Sequence, residues 1–145
     1  MQSKLDYCDV VWGNLGKGFS DQLQKLQNRA LRCVLKVDWT FSTDRLFSKL
    51  NVKTLETRRN ERTLHVMYKI AHGLLPENTC NQFIFNSISY NLRQSYLKLK
   101  LPKIKTNYKK RSFQYRGSKQ WNALSNDIKV LSFNAFKQKV GSIRR

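Results

Sequence analysis

From Ser87 to Arg145 the chain sets fifteen Lys and Arg side chains against a single carboxylate, that of Asp127. Such a segment can build a core only by holding its cations at the surface, because a charge taken out of water without a partner costs several kcal/mol. The residues before it are nearer balance, thirteen basic side chains against eight acidic, so most of the +19 net charge lies in the second part. Part of the chain is therefore expected to order only once a partner neutralises it. The partners that such a field selects are RNA, DNA or an anionic membrane surface.

At 145 residues the length is that of one domain. A single domain over residues 1–145 is expected, with a more acid-balanced helical part over 1–86 and a strongly basic part over 87–145. Hydrophobic periodicity supplies the elements. Ser3 to Trp12 reads as a short helix with Leu5, Cys8, Val11 and Trp12 on one face, ended by Gly13. Asp6 and Asp9 at its start read as solvated acids. A second helix, capped by Ser20 or Asp21, carries an apolar stripe of Leu23, Leu26, Ala30, Cys33, Val34 and Val37. Its basic flank, Lys25, Arg29, Arg32 and Lys36, either follows phosphates or is a solvated face.

Thr43 opens a short helix with Leu46, Phe47 and Leu50. A longer one runs from Thr54 to Gly73 with Leu55, Leu64, Met67, Tyr68, Ile70 and Ala71 inward, and Pro76 prevents its resumption. From Ser87 the texture becomes extended, with Tyr90, Leu92, Tyr96, Leu97, Leu99, Leu101 and Ile104 as the apolar positions. Pro102 restricts this run to an edge strand or an irregular extended segment. Beyond it, Ser112 caps a helix that begins at Phe113, Asn126 to Val130 forms a turn or short helix, and Ser132 caps a last helix carrying Phe133, Phe136 and Val140. The fold class is mainly α, a helical domain with a small extended or β element near residues 90–104.

The densest mixture of basic and aromatic side chains is Thr106 to Leu124, TNYKKRSFQYRGSKQWNAL. Positive charge interleaved with flat apolar faces suits a single-stranded backbone with its bases. Lys109, Lys110, Arg111, Arg116 and Lys119 are the candidate phosphate contacts, and Tyr108 and Tyr115 the candidate stacking faces, while Phe113, Trp121 and Leu124 are read as core. Lys98, Lys100, Lys103 and Lys105 extend the set upstream, although lysines on an edge strand also guard against aggregation. Arg58, Arg59 and Arg62 crowd the start of the long helix, where the macrodipole disfavours cations and an external anion would relieve them. Ion pairs with Glu56 and Glu61 are the alternative there.

These blocks resemble, in order, the C-terminal region of non-LTR (LINE, jockey-like) retrotransposon reverse transcriptases. The likeness rests on LDYCDVVWGN from Leu5, LQKLQNRALRCVL from Leu23, LETRRNERTLHVMYKIAHGLLPE from Leu55, and KKRSFQYRGSKQWNAL followed by Ser132, Phe133, Phe136 and Lys137. It covers nearly the whole chain. One departure is Ser125, standing where the family's Trp-Asn-x-Leu is usually followed by proline. The resemblance implies a segment downstream of the polymerase core that binds element RNA, target DNA or both.

Catalytic machinery is not legible. There is no Tyr/Phe-x-Asp-Asp element for a two-metal polymerase centre, no phosphate-cradling Gly-Lys-Ser/Thr loop, and no nucleophile–histidine signature. His65, His72 and Cys80 match no zinc spacing and read as ordinary helix-surface histidines and a thiol; no metal, cofactor or enzymatic activity is expected of this chain. Cys8, Cys33 and Cys80 are expected to be reduced, two of them on apolar helix faces. No apolar run reaches membrane-spanning length and no signal peptide opens the chain, so an intracellular, nuclear or cytoplasmic, protein without a membrane partner is expected. Two other readings stay open: a protein–protein interaction module using the Leu55 to Gly73 helix or the Lys98 to Ile104 edge, and a decayed transposon relic without selected function.

Overall fold

The computed structural model describes residues 2–14, 16–86 and 97–143. Among these the chain is mainly helical: α1 (Gln2–Asp6), α2 (Asp9–Trp12), α3 (Lys17–Leu35), α4 (Thr43–Leu50), α5 (Leu55–Ala71), α6 (Glu77–Cys80), α7 (Asn107–Arg111), α8 (Phe113–Asn122), α9 (Asn126–Val130) and α10 (Phe133–Ile143). Two compact units form, Met1–Asn60 and Glu61–Arg145, with α5 beginning in the first and continuing in the second. The expected extended positions Tyr90, Leu92 and Tyr96, and the basic tail Arg144 and Arg145, lie outside the described residues.

In the first unit the helix expected over Ser3 to Trp12 is broken at Cys8, whose φ of 49° is left-handed. The break turns Asp9 inward, where it is buried, and leaves Cys8 and Val11 in solvent. Half of the stripe expected on α3 is likewise outside: Leu26 is 46% and Val34 69% exposed, and the Cys33 thiol is exposed, while Leu23, Ala30 and Val37 are half-buried. Two amides take the place of the exposed half. Gln27, buried, donates from Nε2 to the Lys53 carbonyl at 3.1 Å and accepts from Gln24 Nε2 at 2.8 Å, while Gln24 Oε1 accepts the Leu55 backbone N–H at 3.1 Å. The first N–H groups of a helix have no intrahelical acceptor, so this amide pair satisfies backbone at the start of α5 that apolar side chains would leave bare.

Helix ends follow local rules more closely. At Lys36, Asn51 and Gly73 the chain enters the left-handed region, with φ of 51°, 48° and 65°. After Asn51 and Gly73 the next N–H reaches back, Val52 to the Phe47 carbonyl at 3.1 Å and Leu74 to the Lys69 carbonyl at 2.8 Å. These are Schellman closures, and glycine adopts the required φ without the steric cost of a Cβ. Thr54 starts α5, its Oγ1 accepting the Thr57 N–H at 3.3 Å.

The second unit has one core: Leu64, Met67, Tyr68 and Ile70 of α5, Phe83, Leu99, Trp121 of α8, and Phe136 and Val140 of α10. Tyr68 lies 4.7 Å from Phe136, 5.3 Å from Phe133 and 6.4 Å from Trp121, ring centroid to centroid. Its hydroxyl donates to the Leu131 carbonyl at 2.6 Å, so the polar end is satisfied inside. Contact between α8 and α5 is close at Gly117, where a Cβ would stand 2.6 Å from Met67 Sδ. Neither histidine is a plain surface residue: His65 meets Phe133 and Phe136 edge-on, and His72 stacks on Tyr68 at 4.1 Å.

Of the expected extended element, the described residues contain a single antiparallel bridge, Phe85 with Leu99. Asn86 N–H donates to the Lys98 carbonyl and Lys100 N–H to the Ile84 carbonyl, both at 2.8 Å. Leu99 itself faces the other way, where Asn122 takes both of its peptide groups: the Leu99 N–H donates to Oδ1 at 2.9 Å, and Nδ2 donates to the Leu99 carbonyl at 2.8 Å. One side-chain amide thus does the work of a neighbouring strand. In urea unfolding, Asn122→Ala is expected to destabilise the chain by about 3 kcal/mol, because it strands two groups of a buried residue. Asn122→Asp, which keeps the acceptor and loses the donor, is expected to fall between Ala and wild type.

Candidate nucleic-acid interface

The basic surface of the second unit starts from local capping. Thr106 accepts the Lys109 N–H at 3.3 Å and begins α7, a helix the sequence pattern did not announce. Lys109, Lys110 and Arg111 fall in its last turn, where the helix dipole favours cations. Ser112 then serves two helices, its hydroxyl donating to the Lys109 carbonyl at 2.7 Å and accepting the Tyr115 N–H at 3.4 Å, which starts α8 at Phe113 as expected.

Nine of the candidate residues lie out in solvent: Lys98, Lys100, Lys103, Lys105, Tyr108, Lys109, Lys110, Arg111 and Lys119. Tyr108 is 86% exposed, a flat face held next to three cations in sequence. Tyr115 is half-buried. Arg116 is half-buried too, its Nη2 donating to Thr63 Oγ1 at 3.4 Å, so its guanidinium is partly engaged within the unit. Phe113 and Leu124 pack against the core and Trp121 is inside it. No acidic residue stands between Glu77 and Asp127, which leaves this surface without a neutralising side chain in sequence.

The arginines at the start of α5 behave differently. Arg58 pairs with Asp6. Arg59 is 3% exposed, its Nη1 donating to the Gly13 carbonyl at 3.3 Å and its Cζ standing 5.1 Å from the centre of the Trp12 ring. Burial pushes its guanidinium below the usual arginine range, with Asp9 and then Asp6 acting in the opposite sense. Both side chains are internal fastenings of the first unit, so neither is placed to receive a phosphate. Their charge is met by the two aspartates read from sequence as solvated acids. Arg62, in the second unit, is half-buried.

Sequence reasoning missed Lys129. In the string Asn-Asp-Ile-Lys-Val it looks like any lysine on a solvated helix, yet it is 2% exposed, with Nζ 5.7 Å from the centre of the Trp121 ring. Its backbone carbonyl is bonded to His72 Nε2 at 3.0 Å, which fixes α9 against α5. Nothing local signals this burial, which comes from α9 lying against the aromatic core.

Among the described residues no three His, Cys, Asp or Glu side chains gather into a metal-binding group, and no helix is long and apolar enough to cross a membrane. The three cysteines are free; Cys80 Sγ donates to the Leu75 carbonyl at 3.4 Å. Comparison with protein-family models, with curated proteins and with solved structures gives no match.

Burial holds the Lys129 ammonium below the ordinary lysine value of 10.5, and Lys98 pushes the same way. A base depressed by folding binds fewer protons folded than unfolded, so its cost is full below the depressed value and fades as pH rises towards the unfolded one. Lys129→Met is therefore expected to raise the thermal midpoint at neutral pH, and the gap from wild type is expected to narrow as pH approaches that of free lysine. Thermal melts across an alkaline pH series check it; a gap independent of pH would show that repacking alone is responsible.

Proposed function

We propose that this chain is a non-catalytic, nucleic-acid-binding part of a non-LTR retrotransposon reverse transcriptase, lying downstream of the polymerase core and acting inside the cell on element RNA, target DNA or both. The observation that carries the reading is that Lys103, Lys105, Lys109, Lys110 and Arg111 are all exposed and flank, in sequence, the open ring of Tyr108. Together with the extended run from Lys98, these side chains form a continuous cationic track along the sequence, with the stacking face in its middle. Cations that neutralise phosphates release condensed counterions, so the affinity of such a surface is steeply salt-dependent. The ordered block resemblance over Leu5 to Lys137 supports the assignment to a retrotransposon polyprotein.

A second reading, an interaction module, is favoured by a different observation: the outward apolar row of α3, with Phe19, Leu26 and Val34 exposed. The edge at Leu99, by contrast, offers no open peptide groups to a partner strand, because Asn122 occupies them.

Fluorescence anisotropy of the purified chain on RNA across a salt series tests the proposal. Wild type is expected to give a log–log salt slope of about −3 to −5, as roughly five to seven phosphate contacts predict. Changing Lys103, Lys105, Lys109, Lys110 and Arg111 to Gln is expected to remove most of that slope. An unchanged slope would move the phosphate contacts to other cations and overturn this surface, and no binding near physiological salt would replace the reading with the interaction module or the relic without selected function.

A further inference from the structure

The lysine-bearing run is not a flat rail. Leu101 and Pro102, between Lys100 and Lys103, join Phe83 and Ile84 in lining an open cavity of about 150 Å³ in the second unit. Most of its wall is hydrocarbon, and part of that is left in water, Ile84 being 63% and Leu101 42% exposed. Two residues one turn apart on α8, Gln114 and Ser118, supply a polar wall. Gln114 Nε2 donates to the Gln82 carbonyl at 2.6 Å, which fixes the orientation of the amide; its Oε1 has no protein partner among the described residues and stays able to accept. Lys100 and Lys103 also line the cavity and are exposed, so two cationic residues contribute to the rim of an otherwise apolar slot.

An apolar recess holding one oriented amide, with cations beside it, matches the parts of a nucleotide: a flat heterocycle edged with N–H donors, and an anionic backbone on either side. We propose that this cavity receives a single unstacked nucleobase, with Gln114 Oε1 accepting from the edge of the base and Lys100 and Lys103 on the flanking phosphates. The ligand is then single-stranded nucleic acid rather than duplex, because a paired base must first be drawn out of its stack, at a cost of roughly a few kcal/mol. The charge of the rim favours this occupant over an apolar side chain of another protein. The inference rests on the nucleic-acid reading above, and adds to it the strandedness of the ligand and the place where a base is held.

Anisotropy titrations of the whole chain at one salt concentration separate the two claims. The probes are a short mixed-sequence RNA strand, a strand of the same length built wholly of abasic units, and a blunt duplex. The RNA strand is expected to bind about tenfold more tightly than the abasic strand, the effect of roughly one base contact, and more tightly than the duplex. Leu101→Gln, at a partly exposed position where folding is checked by circular dichroism, is expected to erase the advantage over the abasic strand while leaving the abasic affinity unchanged. Gln114→Ala is expected to reduce it. Equal binding of all three probes would overturn the base site and leave the cationic surface standing as the nucleic-acid contact. An advantage that survives Leu101→Gln would put the base elsewhere and overturn the site as well. Failure of every probe to bind would remove the nucleic-acid reading itself.

Discussion

Trp121 sits on a helix whose neighbouring residues are polar or basic, and its burial is the contact through which the second unit is assembled. The indole lies 6.4 Å from Tyr68 of α5 and 6.0 Å from Phe136 of α10, centroid to centroid. Its Nε1 donates to the Leu97 carbonyl at 2.9 Å, which brings in the segment before the bridge. Lys129 of α9 lies over it. Four separate stretches therefore meet at one side chain, whose large apolar area offsets the mutual repulsion of a segment nearly devoid of carboxylates. With the core drawn to the centre in this way, the cations from Lys98 to Lys119 have nowhere to go but outward, Arg116 being the partial exception.

What the sequence made legible was whatever is decided within a few residues. Ser112 as a cap, the start of α8 at Phe113, the end of α5 before Gly73, and the inward side of α5 and α8 are all set by local chemistry or by one clear stripe, and the structure has them. The stripe of α3 was legible only in part, Leu23, Ala30 and Val37 being half-buried and Leu26, Cys33 and Val34 exposed, because two glutamines answer to backbone groups at Lys53 and Leu55, some thirty residues along the chain; hydrophobic spacing carries no information about that demand. Lys129 failed because its burial comes from α9 lying against the aromatic core, which its own neighbours in sequence do not announce. The left-handed turn at Cys8 has no local sequence signal.

The candidate surface divides along the same line. Cations embedded in a long acid-free run, Lys98 to Arg111, are exposed because no local carboxylate competes for them. Arg58 and Arg59 stand in a stretch with aspartates within reach of the fold, and the fold uses them. A pattern reading that weighs only the basic residues cannot separate these cases; the position of the opposing charge decides. Tyr108 shows the complementary effect. It is aromatic, yet it sits on a five-residue helix too short to present an inner face, so it remains in water.

The amide of Asn122 has a consequence for how copies of this chain behave when they are brought together. A polyanion that gathers them also screens the charge that keeps them apart, and in that crowded state an open strand edge seeds lateral growth into fibres. At Leu99 that edge is already closed from within by one side chain. The Leu99 position therefore cannot pair with a strand of the next copy, a safeguard that does not depend on repulsion and so persists where repulsion has been cancelled.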